Sequence, residues 1–295
     1  MKSTTGFYTR GHLDAQSYTF YPANSSDPAP LVVYVHGGAW RYGSKDSLKS
    51  SENGVHRLRE FFSAAGFACA SINYRLSSQA QFPAQIHDVK AAIAHFRKHA
   101  TSFQIDPRKI VLVGGSAGGH LTMLAAATGT LGDSYYDGAL TSGSAEVTCA
   151  VSIYGVSDLR TIYDDREICG FPRVHPEDDD AECLLLGSNF PAPAGSQAEV
   201  NWFKAQPLDI ISHARPAGTR RCAPLYLLHG LGDTCVPHLQ SSRVYETLQQ
   251  RGIETELYLI PDAEHADLRC YTDESLHSMV RWVQQQLDSK GFSTP

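Results

Sequence analysis

The chain has 295 residues, enough for one large domain or two small ones, and its 42% hydrophobic and 19% charged residues are the balance of an ordinary globular protein. A formal net charge of −6, with no block of Lys or Arg, gives nucleic acid and anionic membranes no electrostatic footprint. No apolar run approaches the roughly 18 residues of a membrane span. The first residues, MKSTTGFYTRGHLDAQSYTFYP, lack the apolar stretch of a signal peptide, so the chain reads as cytosolic or as a mature sequence without its leader.

In chain order, QSYTFYP (16–22) predicts an antiparallel edge strand. LVVYVHG (31–37) is too short for a helix and predicts a buried strand. A helix over 54–66, closed by Gly66, leads to the strand FACASINYR (67–75). In 82–100, Ile86, Val89, Ile93 and Phe96 fall on one helical face. IDPRK then turns the chain into the strand IVLVG, followed by the helix AGGHLTMLAAAT. Strands are predicted at 147–155, 224–230 and 253–261, with a helix from His238 between the last two and a final amphipathic helix over 273–288. Such alternation predicts an α/β fold, a mostly parallel central sheet with helices on both faces.

Residues 157–206 break the rhythm with Pro172, Pro176, Pro191 and Pro193 and the acidic run PEDDDAE. A structureless loop of that length does not suit a compact domain. The segment reads as a partly helical insertion, a lid, within a single domain over 1–295. Phe171, Phe190, Trp202 and Phe203 are its candidate pocket-lining aromatics, and the acidic run reads as a solvated loop without the pattern of a calcium site. The seven cysteines include no C-x-x-C pair, which argues against zinc. They read as small buried hydrophobes, with Cys235–Cys270 and Cys169–Cys183 as conceivable disulfides. His95 and His99, four apart on one helix, lack a third ligand and read as solvent-exposed. Asp88, inside an amphipathic helix, reads as a structural hydrogen-bonding group.

The chemistry concentrates at Gly114-Gly115-Ser116-Ala117-Gly118, a G-x-S-x-G between a strand-like and a helix-like run. So sharp a turn strains the serine backbone and needs small neighbours, which Gly114 and Gly118 supply. It projects the hydroxyl over the sheet edge at the positive end of a helix. A serine needs a base to become nucleophilic, a carboxylate to orient that base, and donors for an oxyanion. Asp233 in HGLGDTCVP and His265 in PDAEHADL each follow a predicted parallel strand, at the end where open α/β sheets place their sites. Among competitors, His277 and His238 belong to helices, His229 reads as a brace for the Asp233 turn, and Asp262 and Asp267 are too local to orient His265. In HGGAW (36–40) the main-chain N–H groups of Gly38 and Ala39 can join that of Ala117 as oxyanion donors, with Trp40 a candidate substrate contact.

HGGAW, YRLSSQAQFPAQIHDVKAAIAHFRKHA, IDPRKIVLVGGSAGGHLTMLAA, HGLGDTCVP and AEH, in this order, resemble the α/β-hydrolase superfamily. The similarity is greatest to its hormone-sensitive-lipase-like and carboxylesterase or feruloyl (acetyl) esterase-like branch, over residues 31 to about 285. The resemblance implies Ser116 as nucleophile, Asp233 as acid, His265 as base, and Gly38, Ala39 and Ala117 as oxyanion donors. Ala39, where the lipase-like pattern has a third glycine, resembles the feruloyl and acetyl esterases and also the kynurenine formamidases. The expectation is a serine carboxylesterase acting on a small-molecule or saccharide-linked ester, acetyl first or feruloyl, without metal or organic cofactor. Arylformamide hydrolysis and a non-catalytic ligand-binding role are the alternatives.

Overall fold

Eight strands form one sheet in the computed structural model, which describes residues 2–51, 54–129, 144–176, 178–216 and 221–289. In chain order the elements are β1 (Thr4–Phe7), β2 (Ser17–Tyr21), β3 (Ala29–Val35), α1 (His56–Ala64), β4 (Ala68–Ile72), α2 (Ala84–Lys98), α3 (Ala100–Phe103), β5 (Ile105–Gly115) and α4 (Ala117–Thr128). There follow β6 (Cys149–Ile153), α5 (Ile162–Ile168), α6 (Ala181–Leu186), α7 (Gln197–Lys204), α8 (Pro207–Ser212), β7 (Leu225–Gly230), α9 (Leu239–Gln250), β8 (Thr255–Ile260) and α10 (Asp273–Ser289). The strand order is β1-β2-β4-β3-β5-β6-β7-β8. β1 and β2 run antiparallel to their neighbours and every other pairing is parallel.

Parallel strands covered on both faces need apolar side chains in both directions. In β3, Leu31, Val33 and Val35 point into one core with Ile86, Val89, Ile93 and Phe96 of α2 and Leu121 and Leu124 of α4. Val32 and Tyr34 point into the other with Leu58 and Phe62 of α1 and Leu276, Met279 and Val283 of α10. Each such side chain is worth roughly 1.5–3 kcal/mol relative to remaining in water. Both cores hold β5 and β6 rigidly, and the sheet's carboxyl edge is thereby fixed under the loops that follow its strands. Among the described residues no helix is long and apolar enough to cross a membrane.

Two features differ from the sequence expectation. The antiparallel strand at 17–21 is not the edge, because Thr4–Phe7 pairs outside it. Residues 105–109 belong to β5, whose register against β3 shifts between Ala29 and Leu31. No disulfide joins any of the seven cysteines, and Cys69, Cys149, Cys222 and Cys270 are buried as the sequence reading had it; burial pushes the Cys270 thiol up to about 12. Between β6 and β7 the chain carries α5, α6, α7 and α8, with α7 capped by Ser196, whose hydroxyl accepts from the Glu199 N–H. Trp202 there is buried and donates from Nε1 to the Ser188 carbonyl at 3.0 Å, whereas Phe190 and Phe203 are exposed.

Candidate active site

Ser116 is the single residue between β5 and α4, at φ 54° and ψ −122°. A non-glycine residue there costs on the order of 1–3 kcal/mol, so the surroundings must enforce it. They do so by close approach. A Cβ on Gly114 would stand 2.3 Å from the Gly118 carbonyl oxygen, and one on Gly118 would stand 2.1 Å from the Val35 carbonyl oxygen. Main-chain bonds fasten the turn, from Ser116 N–H to Ile153 (3.0 Å) and from His120 N–H to Ser116 (3.0 Å).

His265 follows β8 and Asp233 follows β7. The His265 ring lies between Ser116 and Asp233, with Nε2 3.0 Å from Ser116 Oγ and Nδ1 2.8 Å from Asp233 Oδ2. Burial by itself would raise the Asp233 carboxyl. The neighbouring charge of His265 and the hydrogen bonds from His229 and His265 outweigh it and hold the group well below the usual carboxylate range. An ionised carboxylate only accepts, so Nδ1 carries the proton and Nε2 presents its lone pair to the serine hydroxyl. The other carboxylate oxygen, Oδ1, accepts from the N–H groups of Cys235 (3.1 Å) and Val236 (2.8 Å). Both carboxylate oxygens of Asp233 are thus oriented.

The loops are tied to each other. Glu264 Oε2 accepts from Thr234 N–H at 3.1 Å and from its hydroxyl at 3.0 Å. His229, the expected brace of the Asp233 turn, donates from Nε2 to the Val236 carbonyl at 2.7 Å and has Asp233 Oδ2 at 3.3 Å. Asp267 accepts from Arg269 N–H at 2.8 Å and caps the turn after His265 rather than reaching its ring. Tyr154 meets the His265 ring at 63°, with centroids 4.9 Å apart.

The turn after β3 has positive φ at Gly38 (106°), Ala39 (51°) and Trp40 (57°). It is closed by bonds from Arg41 and Tyr42 N–H to the Gly38 carbonyl at 2.9 and 2.8 Å. Ala117 is the first residue of α4, where a helix leaves its N–H without an intrahelical acceptor. Sequence reasoning put Trp40 against substrate. Its ring is instead 2% exposed, and Nε1 donates to His120 Nδ1 at 3.2 Å, so it fastens the turn from beneath. Nothing in the sequence analysis singled out His120, although a histidine four residues past Ser116, in a helix whose other polar residues are only Thr122 and Thr128, was a signal.

Asp88 has the structural part expected, accepting from Gln16 Nε2 (2.6 Å) and from Arg75 N, Nε and Nη2 (2.9, 2.8 and 2.8 Å). His95 is half-buried rather than solvent-exposed, packed 5.4 Å from the Tyr18 ring. Among the described residues no group of three or more His, Cys, Asp or Glu is arranged to hold a metal ion.

The BD-FAE family model matches residues 19–248. The chain belongs to the BD-FAE family. This BD-FAE chain is 30% identical over 239 residues to a probable carboxylic ester hydrolase, LipM, of Mycobacterium tuberculosis, covering 81% of the chain and 49% of LipM. It is 31% identical over 240 residues to the esterase LipQ of the same organism, covering 81% and 50%. It spans about half the length of these curated relatives. A solved truncated form of a carbohydrate esterase from gut microbiota superposes with a TM-score of 0.77 at 25% identity, covering 97% of this chain and 96% of that one. The fold is that of the α/β-hydrolases, in the hormone-sensitive-lipase-like esterase branch.

Proposed function

We propose that the chain is a serine hydrolase of carboxylic esters. The observation that carries the proposal is the continuous path from Ser116 Oγ through His265 Nε2 (3.0 Å) and Nδ1 to Asp233 (2.8 Å). The ester-hydrolase and esterase names of LipM and LipQ support it.

His265 Nε2 takes the Ser116 proton as Oγ bonds to the ester carbonyl carbon, and the carbonyl π pair moves to oxygen. The N–H groups of Gly38, Ala39 and Ala117 receive that oxyanion, and loss of one such donor costs on the order of 3 kcal/mol in the transition state. Asp233 steadies the imidazolium. Collapse re-forms the carbonyl, breaks the bond to the alcohol oxygen, and returns the proton from Nε2 to it. Water then repeats the sequence on the acyl-enzyme and releases the acid and Ser116.

Residues 1–295 act as one α/β-hydrolase domain in this reading, with 157–206 inserted as a lid. Its exposed Phe190 and Phe203 are suited to shape the alcohol or acyl side. Short acyl groups, acetyl first, on a sugar or phenolic alcohol fit the likeness to a carbohydrate esterase. The test is nitrophenyl acetate with wild type and Ser116→Ala. Wild type gives a burst of nitrophenol and is labelled by a fluorophosphonate, and the variant does neither. An undiminished burst from the variant overturns the proposal.

A further inference from the structure

The acidic run read as a solvated loop holds two neighbouring carboxylates with opposite attachments. Asp178 takes both ends of the Arg166 guanidinium, Nη1 at 2.7 Å and Nη2 at 2.8 Å. Arg166, on α5, is 3% exposed in its side chain. Its remaining donors go to main-chain carbonyls, Nε and Nη2 to Cys235 (2.9 and 2.8 Å) and Nη1 to Arg173 (3.1 Å). Five contacts use all five N–H groups that a guanidinium has. The next residue, Asp179, pairs through its carboxylate with Arg41, and its carbonyl accepts from Arg41 Nη1 at 2.8 Å.

These partners are not arbitrary surface groups. The Cys235 carbonyl shares its peptide plane with the Val236 N–H, which donates to Asp233 Oδ1 at 2.8 Å, so a guanidinium fixed on the carbonyl side restricts how that N–H is aimed. Arg41 lies in the turn that carries Gly38 and Ala39, and its own N–H closes that turn on the Gly38 carbonyl. An exposed ion pair contributes little, but a buried, forked and fully satisfied guanidinium is a rigid part. We propose that Asp178–Asp179 is a two-armed brace, in which Arg166 is a positioning residue for Asp233 and Arg41 one for the oxyanion turn. The brace rests on the catalytic roles proposed above. It gives the acidic segment work at the site without contact with the reacting atoms.

A double-mutant cycle between Asp178→Asn and Asp233→Asn tests the buried arm, with Arg166→Met as a harsher variant and circular dichroism melts to verify folding. Misaiming a catalytic group by about 1 Å can cost 10²-fold, so Asp178→Asn lowers kcat by roughly 10- to 100-fold with KM within about twofold. In the Asp233→Asn background the same substitution has no further effect on kcat, because the group being aimed has lost its function. Arg166→Lys does not restore kcat, since an ammonium cannot fork. On the exposed arm, Asp179→Ala lowers kcat about 3- to 10-fold, and this loss persists in the Asp233→Asn background. Equal losses from Asp178→Asn in both backgrounds, or an unchanged kcat in the folded single variant, overturn the brace. A kcat untouched by Asp233→Asn alone would instead overturn the catalytic assignment on which the brace rests.

Discussion

Trp40 and His120 share one hydrogen bond, 3.2 Å from indole Nε1 to imidazole Nδ1, that joins the turn after β3 to the helix opened by Ser116. Because Nδ1 accepts there, the ring proton is on Nε2, which donates to the Ala205 carbonyl at 2.7 Å. One neutral ring therefore holds three segments, and a protonated ring could not accept from Trp40. Burial lowers the group to about 4, against the raising effect of the Ala205 bond. His36, beneath the same turn, is likewise lowered to about 4 by burial, against its bond to the Gly37 carbonyl.

This pair makes the fold acid-sensitive before its carboxylates titrate. An unfolded imidazole takes up a proton near pH ~6.5, and the folded ones resist until about 4. Between these values the unfolded chain binds more protons, so stability falls as pH falls. The slope approaches about 1.4 kcal/mol per pH unit for each ring. Gln at position 120 can accept from Trp40 and donate to Ala205 without titrating. Urea midpoints at pH 7, 5.5 and 4.5 will therefore decline less steeply for His120→Gln than for wild type, by about one proton's worth. Identical slopes would refute the account.

The elbow makes a steric prediction. In Gly118→Ala the new Cβ meets the Val35 carbonyl at 2.1 Å, which no side-chain movement relieves. The variant loses several kcal/mol, in the range of ~3 or more seen for strain at a packed backbone, and with it the Ser116 geometry. Gly66→Ala is the control: its φ is 88°, yet nothing lies within 4 Å of the added carbon. It should cost only about 1 kcal/mol, for the left-handed conformation. Thermal melts of both variants, with hydrolysis rates at 20 °C, separate the two effects.

The legible parts were those set by local pattern. Ser116, Asp233 and His265 could be brought to one edge on paper because each follows an apolar run that reads as a parallel strand. Gly114 and Gly118 declare a close approach. Illegible were the partnerships across long separations. Thr4–Phe7 is too short and mixed to announce a strand until β2 is there to pair with it. Asp178 and Asp179 belong to a run of like charges, and their partners lie 12 residues before one and 138 before the other. Trp40 sits beside the site in sequence, and only the depth of α4 decides that it faces inward.

Asp88 yields a prediction about stability alone. Its carboxylate, fully buried, receives four donors from Gln16 and Arg75. Removing one member of a fully buried ion pair costs about 3–5 kcal/mol because the other is left uncompensated, and the Arg75 side chain, 25% exposed, recovers part of that from water, which leaves a loss of about 2–3 kcal/mol. Asp88→Ala should lower the urea midpoint accordingly while kcat at 20 °C, measured on folded protein, stays within about twofold of wild type. A variant as stable as wild type would mean that water replaces the carboxylate without loss.

Asp233→Asn separates catalysis from stability by pH. The substitution should lower kcat on nitrophenyl acetate by about 10⁴-fold, as expected when an imidazole loses the carboxylate that fixes its tautomer. The same carboxylate is held below its unfolded value, near ~3.9, by His265 and His229 despite its burial. Its stabilising contribution is therefore fully present above that unfolded value and is lost as pH falls towards the folded one. The difference in melting temperature between wild type and Asp233→Asn should be constant from pH 7 to 5 and shrink steadily below about pH 4. A gap that widens on acidification would mean that the folded carboxyl binds its proton more readily than the unfolded one, the opposite of what its two histidine neighbours and two main-chain N–H donors impose.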